Sequence, residues 1–378
     1  MSGGETRAGV RAGEIVLPAA KLDETLAFFT ERLGFRVAAV FPADAPSVVV
    51  ICGYGLRVRL EREGTGAPGV LRLLCDVPSD LADGVLALVA PNGTRVELAA
   101  WNAPLQVPAL RPSFVLTRRS ETSDWGRGRA GMLYRELIPD RQGGRFIASH
   151  IRIPEGGPVP DYVHRHRVCF QLIYCYRGSV RVVYEDQGPP FVLEAGDAAL
   201  QPPEIRHRVL ESSVGLEVIE VSCPAEHETL ADLELELPTP VARPERDFGG
   251  QRFVRHQASR ADWTPWRVPG FEARDLGIAA ATGGLAGAQV VRWRGRASGH
   301  SGADQPLSTH DAELLFSFVL EGAAMLDCGG LERVSAGDSF VIPAGRGHVL
   351  RECSSELELL QVALPAGFTS VPQVPALE

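Results

Sequence analysis

Near the start of the chain, Leu22, Leu26, Phe29 and Leu33 recur every three or four residues, with Phe28 beside them, and predict one amphipathic helix. Asp23 and Glu24 near its start, Arg32 in its last turn and Gly34 just beyond suit the dipole and the cap. Around the helix the pattern changes to strand-like runs, at 15–17 before it and at 35–41, 47–52 and 56–61 after it. A shorter set follows at 70–75, 85–89 and 94–98, with a Pro91-Asn92-Gly93 turn, and residues 79–84 leave no room for a second full helix. From 106 to 238 the chain reads as strand and turn. Residues 237–246 (LPTPVARPER) hold three prolines and three charges and read as a linker, after which the strand texture returns. Residues 1–13 read as a flexible tail. The expected class is mainly β, with a small α+β domain at 14–105 and two β-barrels at 106–240 and 241–378.

Composition narrows the function classes. Of 378 residues, 40 are Gly and 28 Pro, about one in six, which favours many short strands over long helices. The net charge of −9 argues against a general nucleic-acid binder, which needs a basic face. No apolar run approaches ~18 residues and the start lacks an apolar signal core, so no membrane association and a cytoplasmic location are expected. The 7 cysteines have no CxxC spacing and are expected to be reduced thiols.

Two stretches repeat. HRVCFQLIYCYRGSV carries Gly178 where HDAELLFSFVLEGAA carries Gly322, and the segments from Gly196 to His207 and from Gly337 to His348 both open with Gly-Asp and contain a proline. Two copies of one barrel are expected. In the first copy, His164 and His166 fall on one face of a strand and Arg165 and Arg167 on the other. His207 is flanked likewise by Arg206 and Arg208. Three imidazoles converging in a small barrel make a facial metal triad, suited to Fe, Mn, Ni, Cu or Zn.

This frame resembles the two motifs of the cupin superfamily: His164, His166, Gln171, Tyr174 and Gly178, then Gly196, Pro202 and His207. The resemblance implies double-stranded jelly-roll barrels and a divalent transition metal, iron favoured, held by His164, His166 and His207. Gln171 stands where Glu is usual, as a possible fourth ligand, and the leading glycine is displaced by one, at Gly157. Three neutral imidazoles and an amide leave a divalent ion its full charge, so an anionic chelating substrate is expected: an enolate, a hydroxy-acid or a catechol-like group. Three-histidine cupins of this kind include Fe(II) dioxygenases. A metal-dependent dioxygenase is therefore expected, with a metal-assisted isomerase or cyclase, or a non-catalytic small-molecule-binding bicupin, as alternatives. The second copy is eroded. Gly302 fits the motif, but Ser308 and Leu315 replace ligands, leaving His310 and His348, which His300, Asp304, Asp311 or Glu313 could complete only through a local change in the strand.

Residues 14–100 resemble a glyoxalase-like (vicinal-oxygen-chelate) domain, through EIVLPAAKLDETLAFFTERLGF and APNGTRVELAA. By that register Glu14 and Glu97 fall at metal-ligand positions, with the second βαβββ module abridged; a metal-free domain that packs or shapes a substrate entrance is expected. Trp263 and Trp266, with Phe271, are expected to cover the end of the second barrel. His227 is assigned no role. Arg165, Arg167, Arg206 and Arg208 are expected to line an outer surface, paired with acidic residues or holding an anion. A monomer or a homodimer is expected.

Overall fold

The computed structural model describes residues 9–81, 84–121, 125–295 and 306–372. Residues 1–8 of the expected tail, and His300, Gly302 and Asp304, lie outside that set. Strand accounts for 44% of the described residues and helix for 8%. The chain divides into two compact units, Met1–Pro104 and Leu105–Glu378.

In the first unit the helix forms at Leu22–Ala27 and widens into a π turn at Phe28–Arg32, where the Thr30 hydroxyl donates to the Leu26 carbonyl at 2.9 Å. Leu22, Phe29 and Leu33 are buried, and Gly34 follows at φ +73°. One sheet runs in the order Ile15–Pro18, Leu56–Glu61, Val48–Gly53, Arg36–Phe41, with its first pair parallel. A smaller sheet runs Val70–Cys75, Arg95–Ala100, Ala87–Val89, again with its first pair parallel. The second set thus repeats three of the four strands of the first, and a short 3-10 turn at Pro78–Asp80 stands where the first has its helix.

The second unit holds two antiparallel barrels. In the first, Phe170–Arg177, Leu216–Cys223 and Ile147–Ile153 lie side by side in one sheet, opposite a sheet of Ser179–Tyr184, His207–Ser212 and His164–His166. The second repeats the plan with Leu314–Glu321, Glu358–Leu364 and Gly287–Trp293. Alternation along these strands sends Phe170, Leu172 and Tyr174, and likewise Phe316 and Phe318, into an apolar core shared by the two barrels. Cys175 and Val319 face the interiors instead. Trp266 and Phe271 do pack with the second barrel's core, whereas Trp263 packs against the shared core, with the Arg292 guanidinium 3.8 Å over its ring.

The barrels also exchange strands. Val115–Thr117 precedes the first barrel in sequence but pairs with Ser339–Val341 of the second. Val254–His256 precedes the second but pairs with Ala198–Leu200 of the first. The repeated Gly-Asp turns secure this exchange. Asp338 accepts from Arg119 N at 2.8 Å and Ser335 N at 2.9 Å, and Asp197 accepts from Ala258 N at 2.8 Å and Glu194 N at 3.1 Å. The linker is held too: Arg243 and Arg246 bridge to Asp186 at 2.6 and 2.7 Å.

Removing either carboxylate strands two backbone N–H groups, at ~1–3 kcal/mol each when buried. Asp197→Ala and Asp338→Ala are each expected to lower unfolding free energy in urea by about 2 kcal/mol or more. A loss below ~0.5 kcal/mol would show that the exchanged strands do not depend on these turns.

Candidate metal centre

His164–His166 and His207–Ser212 are antiparallel neighbours, with His164 directly opposite His207. Their alternation brings three imidazoles together. Ring centroids are 4.2 Å apart for His164 and His207, 5.1 Å for His164 and His166, and 5.3 Å for His166 and His207. One nitrogen from each lies within 4.8 Å of the others, the only such grouping among the described residues. Three bonds of ~2.1 Å at tetrahedral angles need nitrogens ~3.4 Å apart, so a small inward closure suffices.

Every Nδ1 is engaged. His164 Nδ1 donates to the Tyr162 carbonyl at 2.8 Å, His207 Nδ1 to that of Ile205 at 3.1 Å, and His166 Nδ1 lies 2.9 Å from the Thr229 hydroxyl. The two carbonyls can only accept, which fixes for His164 and His207 the tautomer with its lone pair on Nε2, as outer partners do for metal-bound histidines; the Thr229 hydroxyl orients the His166 ring. Burial, then the neighbouring imidazoles, push the His207 pKa well below its ordinary value and that of His166 to about 2. Burial and Arg129 lower that of His164. All three are neutral at pH 7, the ligating form. Three neutral imidazoles, two of them buried and His166 half-buried, converge in a set that fits a divalent transition ion once Arg129 releases His164 Nε2.

His166 and His207 border a cavity of about 420 Å³ in the first barrel, walled largely by Ile147, Ile151, Val182, Leu193 and Val218. Gln171 lies in the same wall, with its amide nitrogen donating to Glu220 Oε1 at 2.6 Å. Three polar residues that the sequence pattern did not single out for the site complete it. Arg129, ion-paired with the buried Asp161, reaches His164 Nε2 at 2.9 Å. Glu220 comes from the Leu216–Cys223 strand. His227 sits with its ring 5.4 Å from that of His166 and donates through Nδ1 to the Pro224 carbonyl at 2.9 Å. No motif marks them, because each reaches the wall through strand pairing or a loop far from the histidines in sequence. On the outer face the arginines pair with acids: Arg165 with Glu204, Arg167 with Glu228 at 2.9 Å, and Arg206 with Asp232 at 3.2 Å.

The second barrel is built differently inside. Leu315 packs in its core. His310 accepts from Ala312 N at Nδ1 and donates from Nε2 to the Ile342 carbonyl, both at 3.1 Å, so neither nitrogen is left for an ion. His348, 5.6 Å away between ring centroids, donates from Nδ1 to the Arg346 carbonyl. Asp311 caps Thr369 N at 2.6 Å and Glu313 pairs with Arg145 at 2.7 Å. In the first unit Glu14 pairs with Arg57 and Glu97 with Arg95, so neither carboxylate stands without a counter-charge.

The cupin domain family matches residues 149–221 and 299–362, once in each barrel. The chain carries two cupin domains. By fold it resembles salicylate 1,2-dioxygenase from Pseudaminobacter salicylatoxidans, with a TM-score of 0.52 at 16% identity over 71% of this chain and 91% of that one. The same enzyme as a gentisate adduct gives a TM-score of 0.50 at 16% identity over 71% and 87%. No curated protein matches the chain in sequence. Among the described residues, no helix is long and apolar enough to cross a membrane.

Burial, then His348, lowers the His310 pKa to about 4. Unfolding exposes this ring near its ordinary ~6.5, so the unfolded chain binds the extra proton as pH falls from ~6.5 towards 4 while the folded chain does not. That share of stability is whole above ~6.5 and is lost on acidification. The stability gap between wild type and His310→Gln is expected to shrink between pH 6.5 and 4 in urea titrations; a constant gap would contradict a buried neutral His310.

Proposed function

We propose that the first cupin domain is a divalent-metal enzyme, a non-haem Fe(II)-type dioxygenase acting on a small anionic metabolite that chelates the ion. The observation that carries this reading is the triad itself: three neutral imidazoles, each held through a contact at Nδ1, converging beside a largely apolar cavity. His164, His166 and His207 would hold the ion, with the Gln171 carbonyl oxygen as a further donor. Such an ion supplies Lewis acidity and, if it is redox-active, a means of engaging dioxygen.

The chain's own residues favour an anionic ligand. The three histidines and Gln171 add no negative charge to the ion. Arg129 now donates to the lone pair of His164 that an ion needs. Loading the ion frees this guanidinium, still anchored by Asp161, to hold an acid group in the cavity. The apolar walls keep water from the reacting atoms. The enzyme resembled in fold has an aromatic acid, salicylate, in its name, a ligand class that this cavity also suits.

A metal-assisted isomerase or cyclase is the second reading, favoured by Glu220 and His227, which could move a proton within the same wall. For the first unit we propose a glyoxalase-like arrangement whose second module keeps three strands and lacks its helix. The supports are the two sheets with matching order and parallel first pairs. With Glu14 and Glu97 paired to arginines, this domain acts without a metal of its own.

Full-length protein loaded with Fe(II) and offered hydroxybenzoates, 2-hydroxy-acids and enolisable diketones is expected to take up one O₂ per substrate consumed. Turnover without oxygen would favour the isomerase, and binding without turnover would overturn both enzymatic readings. His164→Ala and His207→Ala should each lose bound metal. Wild-type metal content in either would show that the triad is not the site.

A further inference from the structure

Position 171 carries an amide where the resembled motif carries a carboxylate, yet the cavity still has a carboxylate in its wall. Glu220 lies one strand over: Ile173 faces Glu220 and Gln171 faces Ser222 across one pair of strands, and Ser149 flanks Glu220 on the other side. Alternation along Leu216–Cys223 turns Val218 and Glu220 into the cavity and Ile219 and Val221 into the core between the barrels. Glu220 Oε1 accepts from Gln171 Nε2 at 2.6 Å and from the Ser222 hydroxyl at 3.1 Å.

Two features of this contact point towards an ion. First, a carboxylate set in an apolar wall with only neutral donors is costly unless a positive charge compensates it. Among the described residues Glu220 makes no ion pair, and Arg129 is paired with Asp161. The compensating charge that remains is the ion. Second, an ionised carboxylate can only accept, so the Gln171 amide must offer its NH₂ to Glu220. That leaves Oε1, the atom with which an amide ligates, and no other described residue donates a hydrogen bond to it.

We propose that Glu220 is a positioning residue for the metal centre. It holds the Gln171 amide with Oε1 directed at the ion, and supplies from the outer sphere the negative charge that a glutamate at 171 would supply directly. This rests on the reading of the first barrel as a metal site. A divalent ion together with Glu220 carries a net single positive charge, which a singly charged chelating ligand neutralises.

The test uses full-length protein titrated with Mn(II) by calorimetry and with Co(II) by visible absorption, without any substrate. Glu220→Gln keeps the shape, removes the charge and frees the Gln171 amide to turn. It is expected to bind Mn(II) about 10–100-fold more weakly, the usual cost of losing an outer-sphere partner, and to change the Co(II) spectrum. The metal-free melting curve should stay as in wild type. Adding Gln171→Glu to Glu220→Gln returns a carboxylate to the ion and should restore the affinity. Gln171→Ala should weaken Mn(II) binding as much as Glu220→Gln, with the double variant no worse than either, and it carries the test if Glu220→Gln fails to fold. Wild-type affinity and spectrum in Glu220→Gln or in Gln171→Ala, while His207→Ala loses the ion, would overturn the role of Glu220 and leave the metal centre standing. Wild-type binding in His207→Ala would instead overturn the metal centre.

Discussion

The clasp between the two barrels is the constraint on which the other features depend. Each barrel gives the other a strand, and each Gly-Asp turn grips the strand it receives through its aspartate. The glycine of each turn takes a second contact. The buried Arg135 donates to the Gly337 carbonyl at 2.5 Å, and the buried Arg274 to that of Gly196 at 3.3 Å. Both glycines adopt φ +92°, which a side chain would make costly. Against this pseudo-symmetric frame the aromatic and aliphatic residues of Phe170–Arg177 and Leu314–Glu321 bury one face of each strand in common. That burial sets the register, because a slip by one residue would turn Phe170, Leu172 and Tyr174 towards the cavity. The interior position of Gln171 is therefore decided by apolar neighbours that never touch the site.

The same frame carries two different interiors. Gln171 and Leu315 hold equivalent places opposite Ser222 and Ala363. Gln201 and Ile342 correspond through the two Gly-Asp segments. In the first barrel these are polar residues around a cavity; in the second they are aliphatic and packed. Glu220 corresponds to Gln361, whose side-chain oxygen accepts from Arg267 at 2.8 Å. The second interior thus closes its polar position on a cation of its own, and its His310 closes on the backbone.

Most of this was legible where a residue's fate is set by its own strand. The helix, the strand runs, the repeat and the paired faces of His164/His166 and Arg165/Arg167 all follow from local periodicity, and the structure places them accordingly. Short runs shifted at their ends: 85–89 narrows to Ala87–Val89, and the helix gives way to a π turn. Trp263 was misplaced because the shared core, which offers it a second apolar surface, has no signature along the chain.

The polar wall was illegible for a related reason. Glu220 reads as one acidic residue in the alternating run LEVIEVSC, and alternation alone leaves open whether its face looks to solvent or to a cavity. That is settled only when Ile219 and Val221 are claimed by the other barrel. Arg129 lies in a short 3-10 turn with no strand periodicity to place it, 35 residues before the histidine it touches. His227 enters through the turn after Pro224, whose carbonyl fixes its ring. Ligands that recur at fixed spacing on one strand pair can be read as a motif. The groups that set the charge around them come from separate elements, and only the packing of two barrels against each other brings those elements to one wall.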